Sequence, residues 1–373
     1  MRRTVFGEAQ EAFRLEVRDF VRNRLLPAYP GWEAAGRPSR DFWREAGEAG
    51  ILGIGVPEEY GGLARSSFAH SVVVTEEIQR EFLAIGGLRV QTDICMPYFL
   101  EYANANQKQR WIPRLTSGSA IAALGLSEPG AGSDLKAMAT RAVRDGDHYV
   151  VNGAKTFISN GAAADLVVLS AKTDPAAGRD GISLLVVEGD SPGFERGRSL
   201  DKLGLKAQDL AELSFTDVRV PVENLLGQEN QGFSYLTANL AQERLSIAVN
   251  SQAAAVAALE YTARRLEGTR PGQHAKFELA ACAAEVGAGQ TLVDRALLEL
   301  EAGELSPADA AMAKLYCTEL QGRVADRCLQ LLGPSAYRKD CPLGRAYLDG
   351  RVSRIYGGSS EIMKVIVGHD LGL

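Results

Sequence analysis

"HYVVNGAKTFIS", His148 to Ser159, decides how the chain of 373 residues is divided. Tyr, Val, Thr, Phe and Ile dominate it, and Asn152 and Gly153 interrupt it. β-branched and aromatic residues in short runs bounded by Gly and Asn read as strands. The stretch therefore reads as two short segments, "HYVVNG" and "AKTFIS". "ADLVVLSAKT" (Ala164 to Thr173), "GISLLVVEG" (Gly181 to Gly189) and "AELSFTDVRV" (Ala211 to Val220) have the same character. Together they predict an antiparallel β module from about Ile121 to about Gly227.

On both sides the period changes to that of helices. Toward the N-terminus, Phe13, Val17, Phe20, Val21 and Leu25 recur at helical spacing. "SVVVTEEIQREF" and "QKQRWIPRL" resume that pattern beyond a loop, "VPEEYGG" (Val56 to Gly62). From Gln231 onward the helical period returns, rich in alanine, as one long helix or a kinked pair to Leu266. Further helices are expected over roughly 275–302, 307–332 and 342–351, with a short one at the C-terminus. Ser306, Pro307 and Asp309 form a helix start: a hydroxyl cap, a proline in the first turn and an acid two residues on. The expected fold class is α+β and multidomain. It has an N-terminal helical domain (residues 1–119), a middle β domain (120–227) and a C-terminal helical bundle (228–373).

Composition narrows the function. The chain is 46% hydrophobic and 24% charged, ordinary for a soluble protein with a sizeable core. A net charge of −6 does not suggest a nucleic-acid surface. Five cysteines without CxxC or metal spacing, and no signal-peptide pattern, read as reduced thiols and a cytoplasmic location. No stretch reads as a membrane span. Four scattered histidines and no HExxH argue against a metal centre. "GLSEPGAGSD", Gly125 to Asp134, is the conspicuous loop. It lacks the lysine of a phosphate-cradling loop, and Leu135 stands where a dinucleotide fingerprint has its third glycine. It suits another flat or anionic ligand.

With the α–β–α order and this loop in hand, the chain resembles the acyl-CoA dehydrogenase family. "LSEPGAGSD", "NGAKTFISNGAAADL", "DKLGLKAQDLAELSFTDVRVPVENLLG" and "RIYGGSSEIM" carry the resemblance in the family's order, over nearly the whole chain. It implies FAD, a tetramer, and α,β-dehydrogenation of an acyl thioester. It also implies residue roles. Leu126, Ser127 and Gly132 would lie along the flavin, and Ser133 at the thioester or pantetheine. Phe157 and Ile158 would flank the isoalloxazine, and Ser159 would bond near its N5. Ser359 and Glu361 would complete the cofactor side. A flavin is a flat apolar plate with alternating donors and acceptors, so backbone groups, short hydroxyls and an aromatic neighbour suit it.

The resemblance also raises a question about the base. Many relatives carry a Glu after the Ile-Tyr pair of the C-terminal motif, and here that position is Gly357. A second family arrangement places the base on the long helix, where "LAQERLSIA" offers Glu243. Taken alone, Glu243 is a functional carboxylate, a partner of Arg244 or Arg265, or part of a solvated face. In the family reading Glu243 is the base, the Gly357 N–H bonds the thioester oxygen, and Arg244 helps hold CoA or neutralise Glu243. Two dinucleotide-side elements depart from the pattern. Arg265 keeps its place, but the Phe that should follow is missing. Gln330 and Gly333 survive, while Pro334 and Ala336 replace glycines. Three readings follow: a homotetramer, a hetero-oligomer with a homologous subunit that shares the FAD site, or a non-catalytic partner subunit. The acyl group would ride on CoA or on a carrier protein, and an electron-transfer flavoprotein would accept the electrons.

Overall fold

The computed structural model describes residues 3–373, except the side chain of Lys136. The first region is helical: α1 (Glu8–Phe20), α2 (Leu26–Ala35), α3 (Arg40–Glu48), α4 (Phe68–Arg80), α5 (Gly86–Arg89), α6 (Met96–Tyr102) and α7 (Ala105–Thr116). Phe13, Val17, Val21 and Leu25 are buried, which is the predicted stripe; Phe20 is only partly covered. Two π-helical turns, Val21–Leu25 and Val90–Cys95, lead into α2 and α6. Asn104 caps α7 by accepting from Gln107 N at 3.0 Å, while the Gln107 side chain accepts from Asn104 N.

Eight strands follow: β1 (Ala122–Gly125), β2 (Arg141–Asp145), β3 (His148–Ser159), β4 (Leu166–Lys172), β5 (Ile182–Glu188), β6 (Phe194–Ser199), β7 (Leu210–Pro221) and β8 (Leu225–Leu226). Their order is β6-β7-β3-β2-β4-β5-β8, with β1 beside β4. Most pairs are antiparallel as expected, but β1–β4 and β2–β4 are parallel. The two segments read in "HYVVNGAKTFIS" are one strand. Gly153 marks a register shift within β3 rather than a turn. A second shift, between Lys155 and Ile158, lifts Phe157 out of the ladder at φ +58°. The inner strands β4 and β5 are buried on both faces. Val168 and Val186 pack with Trp111 and Phe99 of the N-terminal helices, whereas Val167 and Val187 pack with Tyr149 and Phe215. Such strands read as continuous apolar runs rather than alternating ones.

Helix α8 (Gly232–Leu266) is one unbroken helix of 35 residues, not a kinked pair. Helices α9 (Gln273–Ala302), α10 (Pro307–Leu332), α11 (Pro342–Arg351) and α12 (Ser360–Asp370) pack around it. Ser306 Oγ accepts from Asp309 N at 3.0 Å, the cap the sequence announced. The regions are tied together. Arg3 binds Glu76 of α4 and Asp294 of α9, and Leu205 N donates to Asp349 Oδ1 on α11 at 2.5 Å. All five cysteines are free and buried. Among the described residues no helix is long and apolar enough to cross a membrane, and no side-chain cluster is suited to a metal ion.

Candidate functional site

The glycine loop is anchored from inside. Glu128 and Ala131 exchange two backbone bonds around Pro129 and Gly130. The Glu128 carboxylate accepts from Lys155 Nζ at 2.8 Å and from the backbone of Ala139 and Thr140. Lys155 also donates to the Leu126 carbonyl, and Ser127 O accepts from Thr156 N. Burial opposes ionisation of Glu128, but these donors outweigh it and hold its carboxyl below the usual range. Glu128 is thus a structural anion. Gly132 and Ser133 are exposed, and a methyl group added at Gly130 or Gly132 would meet open space. The loop keeps its outer face free for a ligand.

Strand β3 continues that face. Phe157 is 66% exposed, although its left-handed backbone is unfavourable for an aromatic residue. Ile158 turns into the sheet core at 2% exposure, so only its backbone is left for a ligand. Ser159 is half-buried and accepts from Gln208 Nε2 at 2.9 Å. Gln208 in turn lines a cavity with Arg89, Asn250, Ser353 and Tyr356. That cavity joins the β domain to α8 and to the C-terminal turn. An exposed phenyl ring beside short hydroxyls and an open glycine loop fits a flat apolar ligand with polar edges. The residues present therefore fit a flavin.

Glu243 lies on α8 at 7% exposure. Tyr98 Oη, fully buried on α6, donates to its Oε1 at 3.1 Å. No ion pair with Arg244 or Arg265 forms among the described residues, so the paired alternative fails, and burial removes the solvated one. Burial pushes the carboxyl up to about 7, against the Tyr98 bond and the Arg244 charge. Arg244 is itself buried, and its Nε has no partner among the described residues. One turn beyond Glu243, Ile247 meets the C-terminal turn. A Cβ at Gly357 would stand 2.3 Å from Ile247 Cδ1, and Gly357 has φ +62°. A glutamate at that position would meet a strained backbone and would require the Ile247 side chain to shift.

Lys314 on α10, also fully buried, fixes this turn from behind. It donates to Gly358 O at 2.6 Å and to Ser353 O at 3.2 Å. Ser359 caps α12 by accepting from Ile362 N, and Glu361 is exposed in its first turn. Sequence reasoning missed Tyr98, Gln208 and Lys314. Only Lys314 carried a signal, as a lone charge inside the apolar run Ala310 to Cys317.

Arg265, Gln330 and Gly333 do not join this group. Arg265 and Gln330 are exposed, and Gly333 is half-buried at the end of α10. Arg265 stands 22 residues beyond Glu243 on the same unbroken helix, about 33 Å along its axis. One chain cannot bring both to the same end of a flavin ring.

Comparison with known proteins identifies the family. Family models match in sequence: "Acyl-CoA dehydrogenase, N-terminal domain" over residues 7–119, the "middle domain" over 123–218 and the "C-terminal domain" over 230–372. The long-chain specific acyl-CoA dehydrogenase of Sus scrofa mitochondria is 39% identical, covering 99% of this chain and 88% of that protein. The crystal structure of acyl-CoA dehydrogenase from Geobacillus kaustophilus superposes with a TM-score of 0.97 at 43% identity, over 100% of both chains. A chain from work on the electron transferring flavoprotein of Acidaminococcus fermentans superposes with a TM-score of 0.93 at 31% identity, covering 98% of each. This chain belongs to the acyl-CoA dehydrogenase family of FAD-dependent oxidoreductases.

Proposed function

We propose that the chain converts a long or branched acyl-CoA to its trans-2-enoyl-CoA, with Glu243 as the base. The proton on the carbon α to the thioester passes to Glu243, the β hydrogen leaves as hydride, and a C=C bond forms between the two carbons. FAD, when bound, would supply the acceptor for that hydride. Leu126, Ser127, Gly132, Phe157, the Ile158 backbone and Ser159 hold the flavin ring in this reading, with Ser359 and Glu361 beyond it, and Ser133 meets the thioester. The Gly357 N–H donates to the thioester oxygen and stabilises the enolate-like charge. Arg244 sets the charge around Glu243. The observation that carries the reading is Glu243 itself: a buried carboxylate with no ion-pair partner among the described residues, one helical turn from Ile247, whose side chain abuts the glycine at the other base position.

We place Arg265, Gln330 and Gly333 at the dinucleotide end of a neighbouring subunit's FAD, in a tetramer in the cytoplasm that passes electrons to an electron-transfer flavoprotein. Domains at 1–119, 120–227 and 228–373 accompany this reading. The second reading, a hetero-oligomer with a homologous chain, is favoured by Pro334, which withholds a backbone donor where a phosphate would use one. One flavin per chain in a homotetramer, measured by native mass and absorbance, overturns it. A carrier-protein thioester in place of acyl-CoA is the remaining substrate alternative. Glu243→Gln tests the mechanism. It is expected to keep bound FAD and to slow bleaching of the flavin by palmitoyl-CoA by about 10²–10⁴-fold. Bleaching at the wild-type rate moves the base elsewhere.

A further inference from the structure

The bond between Tyr98 and Glu243 joins the first region of the chain to the third, and the sequence around it explains why the two meet. Pro97 opens α6 and has no N–H for the carbonyl four residues back. That carbonyl belongs to Asp93, and Gln242 of α8 donates its side-chain amide to it at 2.9 Å. Ser246 of α8 donates to Asp93 Oδ2 at 2.5 Å. Gln242 and Ser246 are one helical turn apart and bracket Glu243. They key α8 onto the segment that carries Tyr98, and the phenol then faces the carboxylate. The π-helical turn Val90–Cys95 that delivers Pro97 and Tyr98 is of a kind found often at functional sites.

We infer that Tyr98 is the positioning residue of the base: its hydroxyl holds Glu243 Oε1 and leaves Oε2 for the α-proton of the acyl thioester. The inference rests on the reading of Glu243 as the base. A phenol beside a carboxylate is the donor, and the bond favours the ionised form, opposing burial. Without the hydroxyl, the carboxyl keeps its proton to higher pH. The ring packing does not depend on the oxygen, so Tyr98→Phe keeps the fold.

The test uses the FAD-loaded enzyme and two readouts. The first is the carboxyl C=O infrared band of Glu243, assigned by its loss in Glu243→Gln and followed across pH. In Tyr98→Phe its midpoint is expected to rise by about one pH unit. With 3-fluorotyrosine at position 98, a stronger donor, the midpoint moves down. The second readout is flavin bleaching by palmitoyl-CoA. It is expected to slow by about tenfold near pH 6 in Tyr98→Phe and to stay close to wild type near pH 9. An unmoved infrared midpoint overturns the inference, since a packing role alone does not shift it. Unimpaired bleaching in Glu243→Gln overturns the base assignment, and with it any catalytic use of Tyr98. The infrared result tells the two failures apart.

Discussion

Glu243 must be charged to take a proton, yet it is buried where charge is disfavoured. Burial raises its carboxyl to about 7. The initial rate of flavin bleaching should therefore fall about tenfold per pH unit below that value and level off above it. The same shift acts on stability, with a definite sign. A carboxyl raised on folding contributes stability below its unfolded pKa, and that contribution is lost as pH rises through about 7. Glu243→Gln removes the titration. The inactive variant should then be more stable than wild type at pH 8, by on the order of 2–3 kcal/mol, with the gap closing near pH 4. Thermal melts at the two pH values check this. Gly357 is the complementary residue. Gly357→Ala meets an unfavourable backbone and Ile247 Cδ1, so it should cost about 2–4 kcal/mol, with partial recovery on adding Ile247→Ala. The sequence displayed Glu243 as a carboxylate in an apolar helix and Gly357 as a missing acid. It did not display Tyr98, because a tyrosine in "MPYFLEY" looks like any core aromatic.

At the level of elements, the C-terminal turn is held by a buried cation that donates to two backbone carbonyls. Burial brings the Lys314 ammonium down to about 8, and the charge of Arg244 adds to that. Lys314→Met would leave Ser353 O and Gly358 O without their donor. It should lower stability by about 2–4 kcal/mol and raise KM for acyl-CoA, read from urea midpoints and steady-state kinetics. The helices of the bundle were legible because alanine-rich periodicity, the Ser306 cap and Pro307 mark them plainly. Strands β2 and β6 were not, because "RAVRD" and "FERGRS" are mostly exposed and look like loop. The parallel pairings of β4 with β1 and β2 were equally hidden. They depend on which buried segment lies next to which, and no local pattern records that. The π-helical turn Val90–Cys95 is invisible for the same reason, since it lies where the segment entering α6 meets α8.

For the whole molecule, the unbroken run of α8 matters most. It carries Glu243 in its first half and Arg265 at its end, and the two motifs that depart from the family pattern lie at that far end. The order of helices, sheet and helices was legible from periodicity alone. The distance between Glu243 and Arg265 was not, because one long helix and a kinked pair both fitted the periodicity. If each flavin is shared as proposed, every site takes its base from one chain and its distal arginine from another. Two separately dead proteins should then repair each other. Glu243→Gln supplies intact arginines, and Arg265→Glu supplies intact bases. In a mixed pair, one site collects both defects and the other collects none. Co-expression of the two variants, each with its own affinity tag, should yield doubly tagged assemblies with up to about half the wild-type activity per pair. A chain that completed its own site would give no such rescue. One long helix would thus turn an enzyme's loss-of-function alleles into complementing ones.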